Sequence, residues 1–127
     1  MSRHRSDHQG RRKLNGISAE DFVKKFYKGK SSYCDDYDVV TKNYLIEVKS
    51  CDAIIKNGER NDMFGRFTIE FDNHIGLFLH AIMENKVPIY VFILRISNRK
   101  LILKKKWDEI VFADNKKRLS IGWNKLF

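Results

Sequence analysis

Proline, cysteine and long apolar runs are all scarce in this chain of 127 residues. The single proline and a hydrophobic content of 43% exclude a proline-rich or disordered composition and favour a packed globular domain. No apolar run approaches the roughly 18 residues that a membrane-spanning helix needs. The N-terminal stretch has no apolar segment of the kind that a secretory signal carries. We therefore expect a cytoplasmic protein with no membrane partner.

The only two cysteines, Cys34 and Cys51, are too few for a disulfide framework. We expect both thiols to be reduced, and their wide spacing does not match a zinc-binding motif. The chain is long enough for one hydrophobic core but not comfortably for two. The sequence therefore predicts a single domain over residues 17–127, preceded by a separate N-terminal segment.

Positive charge is abundant, with a net charge of +9 and an isoelectric point near 9.6. This balance favours a polyanionic partner, with nucleic acid ahead of an anionic membrane surface, although basic residues also serve solubility alone. Residues 1–16 carry five of the basic residues and one acid, and we predict a flexible basic arm that is able to lie along DNA phosphates. The alternative is a disordered terminus with no role. The basic residues expected to bind nucleic acid are Arg3, Arg5, Arg11, Arg12, Lys13, Lys104, Lys105 and Lys106.

Helical and strand-like patterns alternate along the chain, which predicts an α/β fold with a mixed central sheet flanked by helices. The first helix is expected to begin after Ser18 as its N-cap and to end near Gly29. Its predicted apolar face consists of Ala19, Phe22, Val23, Phe26 and Tyr27. A second helix is predicted from about Asp72 to Asn85, and residues 53–65 are predicted to form a polar loop. The strand-like segments are YDVV, YLIEV, RFTIE, PIYVFILRI, KLILKK and RLSIGW.

The segment Asp35–Cys51 is strand-like and also rich in charge. A hairpin with its turn at Lys42–Asn43 would place Val39 opposite Ile46, and directly opposed residues share one face of a sheet. In that register one face carries Asp36, Asp38, Val40, Leu45, Glu47 and Lys49. The other face, which we predict to be the core side, carries Tyr37, Val39, Tyr44, Ile46, Val48 and Ser50.

Opposed carboxylates at Asp38 and Glu47 would repel each other unless a cation lies between them. Two carboxylates, a backbone carbonyl and waters form a usual environment for Mg²⁺. Lys49 is on the same face, and a metal lowers the pKa of water, so the group suits hydrolysis of a phosphodiester. The alternative is a solvated hairpin face on which Asp36 and Lys49 form a weak surface ion pair.

The pattern "D-VVTKNYLI-EVK" resembles that of the PD-(D/E)xK nuclease superfamily, which has the restriction-endonuclease-like fold. The segment "GISAEDFVKKFY" resembles the first helix of that family, and "GRFTIEFDNHIGL" and "VPIYVFILRI" resemble the elements that follow its catalytic lysine. Archaeal Holliday junction resolvases are the most similar subfamily in size and element order. The resemblance covers Gly16 to Ile110, and it departs from the family name at Tyr37, where a proline is expected.

The resemblance implies a role for each matching residue. Asp38, Glu47 and the backbone carbonyl of Val48 would bind the metal, and Lys49 would position the attacking water. Glu20 would be an additional catalytic acid that reaches a second ion or a bound water. His74 and Ser50 would help to orient water.

The resemblance also implies the activity and the partners. We expect a Mg²⁺-dependent endodeoxyribonuclease, with Mn²⁺ as a substitute and no small-molecule cofactor. Its substrate would be branched DNA, cut by a homodimer in DNA recombination and repair. Two alternatives stay open from the sequence. One is a restriction- or repair-type endonuclease acting on duplex or single-stranded DNA, and the other is a nucleic-acid-binding module without catalysis on the same scaffold.

Overall fold

The structure, a computed structural model, describes residues 10–32, 34, 36–55 and 63–127, and for residues 10–18, 55 and 63 it describes the backbone alone. The first half of the chain contains α1 Gly10–Tyr27, β1 Lys30–Ser31, β2 Val39–Val40, β3 Tyr44–Asp52, β4 Ile54–Ile55 and β5 Met63–Phe64. The second half contains β6 Arg66–Glu70, α2 Phe71–Glu84, β7 Val87–Ile96, β8 Arg99–Lys106, a 3₁₀ turn Trp107–Glu109, β9 Arg118–Gly122 and α3 Trp123–Leu126.

A five-stranded mixed sheet with the strand order β1-β2-β3-β7-β8 forms the centre of the molecule. β3 and β7 run parallel, and their register extends from Tyr44 opposite Val87 to Asp52 opposite Arg95. The other neighbouring pairs in this sheet are antiparallel. The arrangement confirms the predicted mixed sheet flanked by helices.

Both faces of the central sheet are covered, which explains why β7 is apolar almost throughout. On one face, Ala19 and Val23 of α1 pack against a cluster of Val39, Ile46, Ile89, Val91 and Ile93. On the opposite face, Leu77 and Ala81 of α2 pack against a cluster that includes Leu45, Tyr90, Phe92 and Leu94. The prediction of a single core side for the hairpin was therefore wrong, because each face has its own helix.

Helix α1 starts earlier than predicted. It begins at Gly10, so its backbone runs through Ser18, which is not the N-cap. Its end agrees with the sequence more closely, since Tyr27 is the last helical residue and Lys28 has a left-handed φ of 56°. Residues 1–9 of the predicted arm lie outside the described residues, and the division into arm and domain stays a prediction.

The predicted apolar face of α1 is only partly buried. Ala19 and Val23 are buried in the cluster below the helix, and Tyr27 is half-buried. Phe22 and Phe26 are instead exposed and stack on each other with their ring centroids 6.0 Å apart. Helical spacing groups the five residues correctly, but the sheet is contacted by a narrower stripe than the sequence indicates.

The predicted hairpin register is confirmed where the two strands pair. Val39 lies opposite Ile46 and Val40 opposite Leu45, with a hydrogen bond of 2.9 Å from the Thr41 N–H to the Tyr44 carbonyl across the turn. Before Val39 the chain is no longer a regular strand. As a result Tyr37 belongs to the α2-side cluster, which corrects its predicted placement beside Ile46.

The remaining elements pack on the α2 side of the sheet. β6 pairs with β9 in a separate two-stranded sheet, and Phe67 and Ile69 of β6 enter the α2-side core. The predicted loop at residues 53–65 contains the short pair β4 and β5, while its polar residues 56–62 lie outside the described residues.

Helix α2 runs from Phe71 to Glu84, one residue from the prediction at each end. Within the described part of the chain, no helix has the length and apolar character needed to cross a membrane.

Candidate active site

Asp38 is held at the point where the chain enters β2. Its backbone N–H donates to the Ile46 carbonyl at 2.8 Å, and its Oδ2 accepts a hydrogen bond of 2.8 Å from the Val48 N–H. The carboxylate thereby takes the place of a backbone acceptor beside β3, at a level where β2 has not yet begun. Both contacts fix the position of the Asp38 carboxylate relative to the middle of β3.

Glu47 occupies the centre of β3 on the face that α2 covers, and it is 6% exposed. Within the described residues its Oε1 is fully buried and has no hydrogen-bond partner. Burial raises the pKa of Glu47 well above its usual range, and the charge and proximity of Asp38 raise it further, whereas Lys49 lowers it. A buried carboxylate beside a second carboxylate is unfavourable unless positive charge is near.

Lys49 supplies part of that positive charge. Its Nζ lies 3.2 Å from Glu47 Oε2, and its side chain is 24% exposed, so the ammonium group lies between the buried carboxylate and solvent. Residues two apart on a strand point to the same face, which is why Glu47 and Lys49 meet without any loop. The structure therefore brings together Asp38, Glu47 and Lys49, the two acids and the lysine that the sequence analysis identified.

The backbone of Val48 also faces this group of side chains, on the side of β3 where Asp38 lies. Its N–H points towards Asp38, and in an extended strand the N–H and C=O of one residue face the same side. The Val48 carbonyl consequently faces the side of β3 on which Asp38 lies.

The oxygen atoms of Asp38, Glu47 and the Val48 carbonyl are of the kind that bind a hard divalent cation. In the part of the chain that the structure describes, the buried Glu47 Oε1 has no hydrogen-bond partner, Asp38 is adjacent to it, and a backbone carbonyl faces the same side. Carboxylate and carbonyl oxygens completed by waters are the ligands that Mg²⁺ prefers. A cation would also stabilise the ionised form of Glu47, whose pKa is otherwise raised.

An aromatic group supports the site from the α2 side. Tyr90 of β7 lies directly opposite Glu47, and its hydroxyl is 2.8 Å from His74 Nδ1. His74 is buried and stacks on Trp107, whose Nε1 donates to the His74 carbonyl at 2.6 Å. Burial lowers the pKa of His74 to about 4, so its imidazole is neutral near pH 7. His74 Nδ1 is engaged with Tyr90, and the water contact expected of His74 stays a prediction.

Two further predicted residues are placed differently. Ser50 follows Lys49 on β3 and points to the opposite face of the strand, so the structure does not bring it to Glu47 and Lys49. Glu20 is half-buried on α1, which packs on the face opposite Glu47. Its role as an additional acid stays a prediction.

The predicted DNA-binding lysines of β8 divide between the two faces of the sheet. Lys104 lies over the Tyr44 ring at 5.8 Å from its centroid, on the α1 side. Lys105, opposite Tyr90, is on the other side with its Nζ 3.8 Å from Glu109. Lys106 is exposed at the end of the strand. Of the arm residues, Arg3 and Arg5 lie outside the described residues, and Arg11, Arg12 and Lys13 are described only as backbone of α1.

A second polar group was missed by sequence reasoning. Cys34 Sγ lies 3.5 Å from His80 Nε2 and 3.9 Å from Asp36 Oδ2, and His80 Nε2 lies 3.3 Å from Asp36 Oδ2. Asp36 therefore contacts an imidazole of α2, whereas the hairpin register predicted Lys49 as its partner. The only local signal was the Cys-x-Asp spacing, because His80 comes from a helix more than forty residues later.

The fold defined by this mixed sheet and its two flanking helices is of the restriction-endonuclease-like class, as the sequence predicted. The structure is similar to that of Hjc, a Holliday junction resolvase of the hyperthermophilic archaeon Archaeoglobus fulgidus. The TM-score is 0.59 at 12% sequence identity, and the similarity covers 87% of this chain and 85% of that one. No protein-family model matches the sequence, and no curated protein matches it significantly. The similarity establishes the fold.

Proposed function

We propose that this protein is a metal-dependent endonuclease that hydrolyses phosphodiester bonds in DNA. The observation that carries the proposal is the buried oxygen Oε1 of Glu47, which has no hydrogen-bond partner among the described residues and lies beside Asp38 and Lys49. Two adjacent carboxylates, of which one is fully buried, do not stabilise a hydrophobic core. They are, however, what a cation-binding site next to a polyanionic substrate requires.

In this proposal Asp38, Glu47 and the Val48 carbonyl hold Mg²⁺, or Mn²⁺ in its place. When bound there, the cation would lower the pKa of a water molecule and provide positive charge near the scissile phosphate. Lys49 orients the attacking water and stabilises the negative charge that develops on the phosphate oxygens. The hydrogen bond from Val48 keeps the Asp38 carboxylate in place during the reaction.

The proposed substrate is branched DNA, with a homodimer that places two active sites on one junction. Support comes from the similarity of the fold to a protein described as a Holliday junction resolvase and from the net charge of +9. A role in DNA recombination and repair, in the cytoplasm, follows from the same proposal. Lys104, Lys105 and Lys106 would contact backbone phosphates, which position a substrate without reading its sequence.

The direct test is cleavage of labelled four-way junctions, flaps, duplexes and single strands in Mg²⁺, with EDTA as the blank. The variants are Asp38→Asn and Lys49→Ala. Their matched controls are Asp21→Asn and Lys24→Ala, which make the same charge changes in a partly exposed ion pair of 3.0 Å on α1. We expect cleavage of junctions to be lost in the two site variants and kept in the two controls.

Other outcomes would correct the proposal in different ways. Preferred cleavage of duplex or single strands would support a restriction- or repair-type endonuclease and reject the junction substrate. DNA binding without Mg²⁺-dependent cleavage of any substrate would reject catalysis and leave a binding module. A Glu20→Gln variant that cleaves at the wild-type rate would remove Glu20 from the site.

The proposed contacts between basic residues and DNA phosphates can be tested separately. If several lysines and arginines contact phosphates, DNA affinity falls about 10³-fold or more between 50 and 200 mM salt. We expect Lys104→Ala and Lys106→Ala together to reduce that salt dependence. An affinity that is independent of salt would remove the basic residues from the interface.

A further inference from the structure

Three side chains of different chemistry meet between the segment before β2 and the middle of α2. They are the thiol of Cys34, the carboxylate of Asp36 and the imidazole of His80. Their facing atoms are 3.5 Å apart from sulfur to nitrogen, 3.9 Å from sulfur to oxygen and 3.3 Å from nitrogen to oxygen. Each of the three atoms is thus close to both of the others.

Two of these separations match the edges of a zinc tetrahedron, and the third, from sulfur to oxygen, is about 0.3 Å longer than its edge. With Zn–S, Zn–N and Zn–O bonds of about 2.3, 2.05 and 2.1 Å, tetrahedral angles place sulfur about 3.6 Å from nitrogen and from oxygen. The same angles place nitrogen about 3.4 Å from oxygen. We propose that Cys34, Asp36 and His80 form a zinc-binding site that is separate from the Asp38–Glu47 centre.

Hydrogen bonding alone explains the geometry less well. A charge-assisted bond between an imidazolium and a carboxylate is about 2.7–2.9 Å long, and the His80–Asp36 distance of 3.3 Å exceeds it. A hydrogen-bonded pair also does not require a third donor atom at similar distance from both members. A central ion explains why all three distances are similar.

Neighbouring residues hold two of the ligands in place. The Cys34 N–H donates to Ser32 Oγ at 3.0 Å, and the Tyr37 ring meets the His80 ring edge-on with centroids 5.5 Å apart. The Tyr37 hydroxyl donates to Glu84 Oε2 at 3.0 Å, which anchors that ring to α2. Gly76 leaves room for the Asp36 carboxylate, because a Cβ at position 76 would lie 2.3 Å from Asp36 Oδ2.

The site has the character of an open zinc centre. The side chains of Asp36 and His80 are 23% and 37% exposed, so a water can reach a fourth ligand position. Three protein ligands and one water is the composition of zinc sites with an exchangeable position. Thiolate and imidazole ligands favour zinc, whereas the oxygen ligands of Asp38 and Glu47 favour Mg²⁺, so the two sites select different ions.

Zinc binding would tie the segment that ends at Asp38 to helix α2. Asp36 is two residues before Asp38, and His80 is in the third turn of α2. A bound ion would therefore restrict the segment that carries a proposed catalytic ligand. Binding itself converts the Cys34 thiol to a thiolate, whose proton passes to solvent, with no change of oxidation state. The zinc site does not depend on the nuclease proposal.

Cobalt(II) titration under reducing conditions tests the site, because a cysteine thiolate bound to Co²⁺ gives a ligand-to-metal charge-transfer band in the near ultraviolet. We expect this band to saturate at one Co²⁺ per chain and to disappear when Zn²⁺ displaces the cobalt. Cys34→Ser should remove the band, and His80→Ala should weaken Co²⁺ binding by at least about tenfold. Cys51→Ala is the matched thiol control and should retain the band.

Two comparisons keep the test decisive. Asp38→Asn removes a ligand of the proposed nuclease centre, and it should leave the cobalt band intact even if it abolishes cleavage. If Cys34→Ser fails to fold, the wild-type chain can be alkylated with iodoacetamide, and Zn²⁺ should slow alkylation of Cys34. A band that persists in Cys34→Ser, the absence of any band in the wild type, or alkylation of Cys34 that Zn²⁺ does not slow would overturn the proposal.

Discussion

The Asp38 carboxylate accepts a hydrogen bond of 2.8 Å from the backbone N–H of Val48, the residue between Glu47 and Lys49. This contact joins the entrance of β2 to the middle of β3 and sets where the two acids meet. Asp38 therefore has two roles. Its side chain accepts a hydrogen bond that fixes local structure, and its negative charge is available to bind a cation.

Substitutions at Asp38 can distinguish these two functions. Asp38→Asn keeps an oxygen acceptor for the Val48 N–H, whereas Asp38→Ala leaves that N–H without it. We expect Asp38→Asn to unfold in urea close to the wild type and Asp38→Ala to lose about 1 kcal/mol or more. Both should reduce Mg²⁺-dependent cleavage at least about 100-fold. Cleavage by Asp38→Asn at the wild-type rate would contradict a metal-binding role.

Glu47 is expected to reduce stability when no cation is present. Its carboxylate is buried beside Asp38, and burial raises its pKa. Glu47→Gln removes the cost of burying this carboxylate at nearly constant volume, and Lys49 is exposed enough to be hydrated without it, so we expect the free energy of unfolding in EDTA to rise by about 1 kcal/mol. The variant should not cleave DNA.

The control for this variant is Glu70→Gln, which removes an exposed carboxylate 2.6 Å from Arg118 Nε. Exposed ion pairs contribute roughly 0–1 kcal/mol, so its unfolding free energy should stay the same or fall slightly. If Glu47→Gln is instead less stable than the wild type in EDTA, Glu47 stabilises the fold without a cation, which would contradict the proposal that burial of its charge is balanced by a metal.

The pKa of His74 predicts a dependence of stability on pH. Burial lowers it to about 4, whereas an unfolded histidine has a pKa near 6.5. Between these values the unfolded state binds more protons, so the free energy of unfolding decreases as the pH falls from about 6.5 to about 4. The decrease attributable to His74 is up to roughly 3 kcal/mol. Urea unfolding at pH 7.5 and 4.5 should show a smaller decrease in His74→Gln, and an equal decrease would reject this explanation.

Gly76 offers a test of the Asp36 position. A Cβ at this position would come within 2.3–2.6 Å of the Asp36 carboxylate atoms, which would have to move. Because Ala is the better helix former, we expect Gly76→Ala to change the free energy of unfolding by no more than about 1 kcal/mol. Cobalt binding should nevertheless weaken by at least about tenfold. Unchanged cobalt binding would indicate that Asp36 is not a ligand.

Local patterns in the sequence were enough to predict the centre of the fold. The β-hairpin register followed from the Lys42–Asn43 turn, and strand alternation placed Glu47 and Lys49 on one face. The nearly continuous apolar run PIYVFILRI is typical of a buried strand, and β7 is buried in the structure. These features depend on neighbours within about ten residues, where periodicity is informative.

Features that depend on tertiary contacts could not be predicted in this way. Tyr37 changes faces because the chain leaves the regular strand before Val39, which no period-two pattern reveals. Cys34 meets His80 only after α2 packs on the sheet. The width of the α1 contact, which leaves Phe26 exposed, is likewise set by the sheet beneath it. The group of Asp38, Glu47 and Lys49 could therefore be predicted from the sequence, whereas the group of Cys34, Asp36 and His80 could not.

The central claim is that Asp38 and Glu47 share a divalent cation, and a crystal structure of the protein with Mn²⁺ tests it most directly. Anomalous scattering should give a peak within about 2.0–2.4 Å of an Asp38 oxygen and of Glu47 Oε1, with the Val48 carbonyl as a third ligand. Crystals of Glu47→Gln prepared with Mn²⁺ in the same way should show no such peak. A wild-type structure at saturating Mn²⁺ with no peak between these two carboxylates would contradict the account.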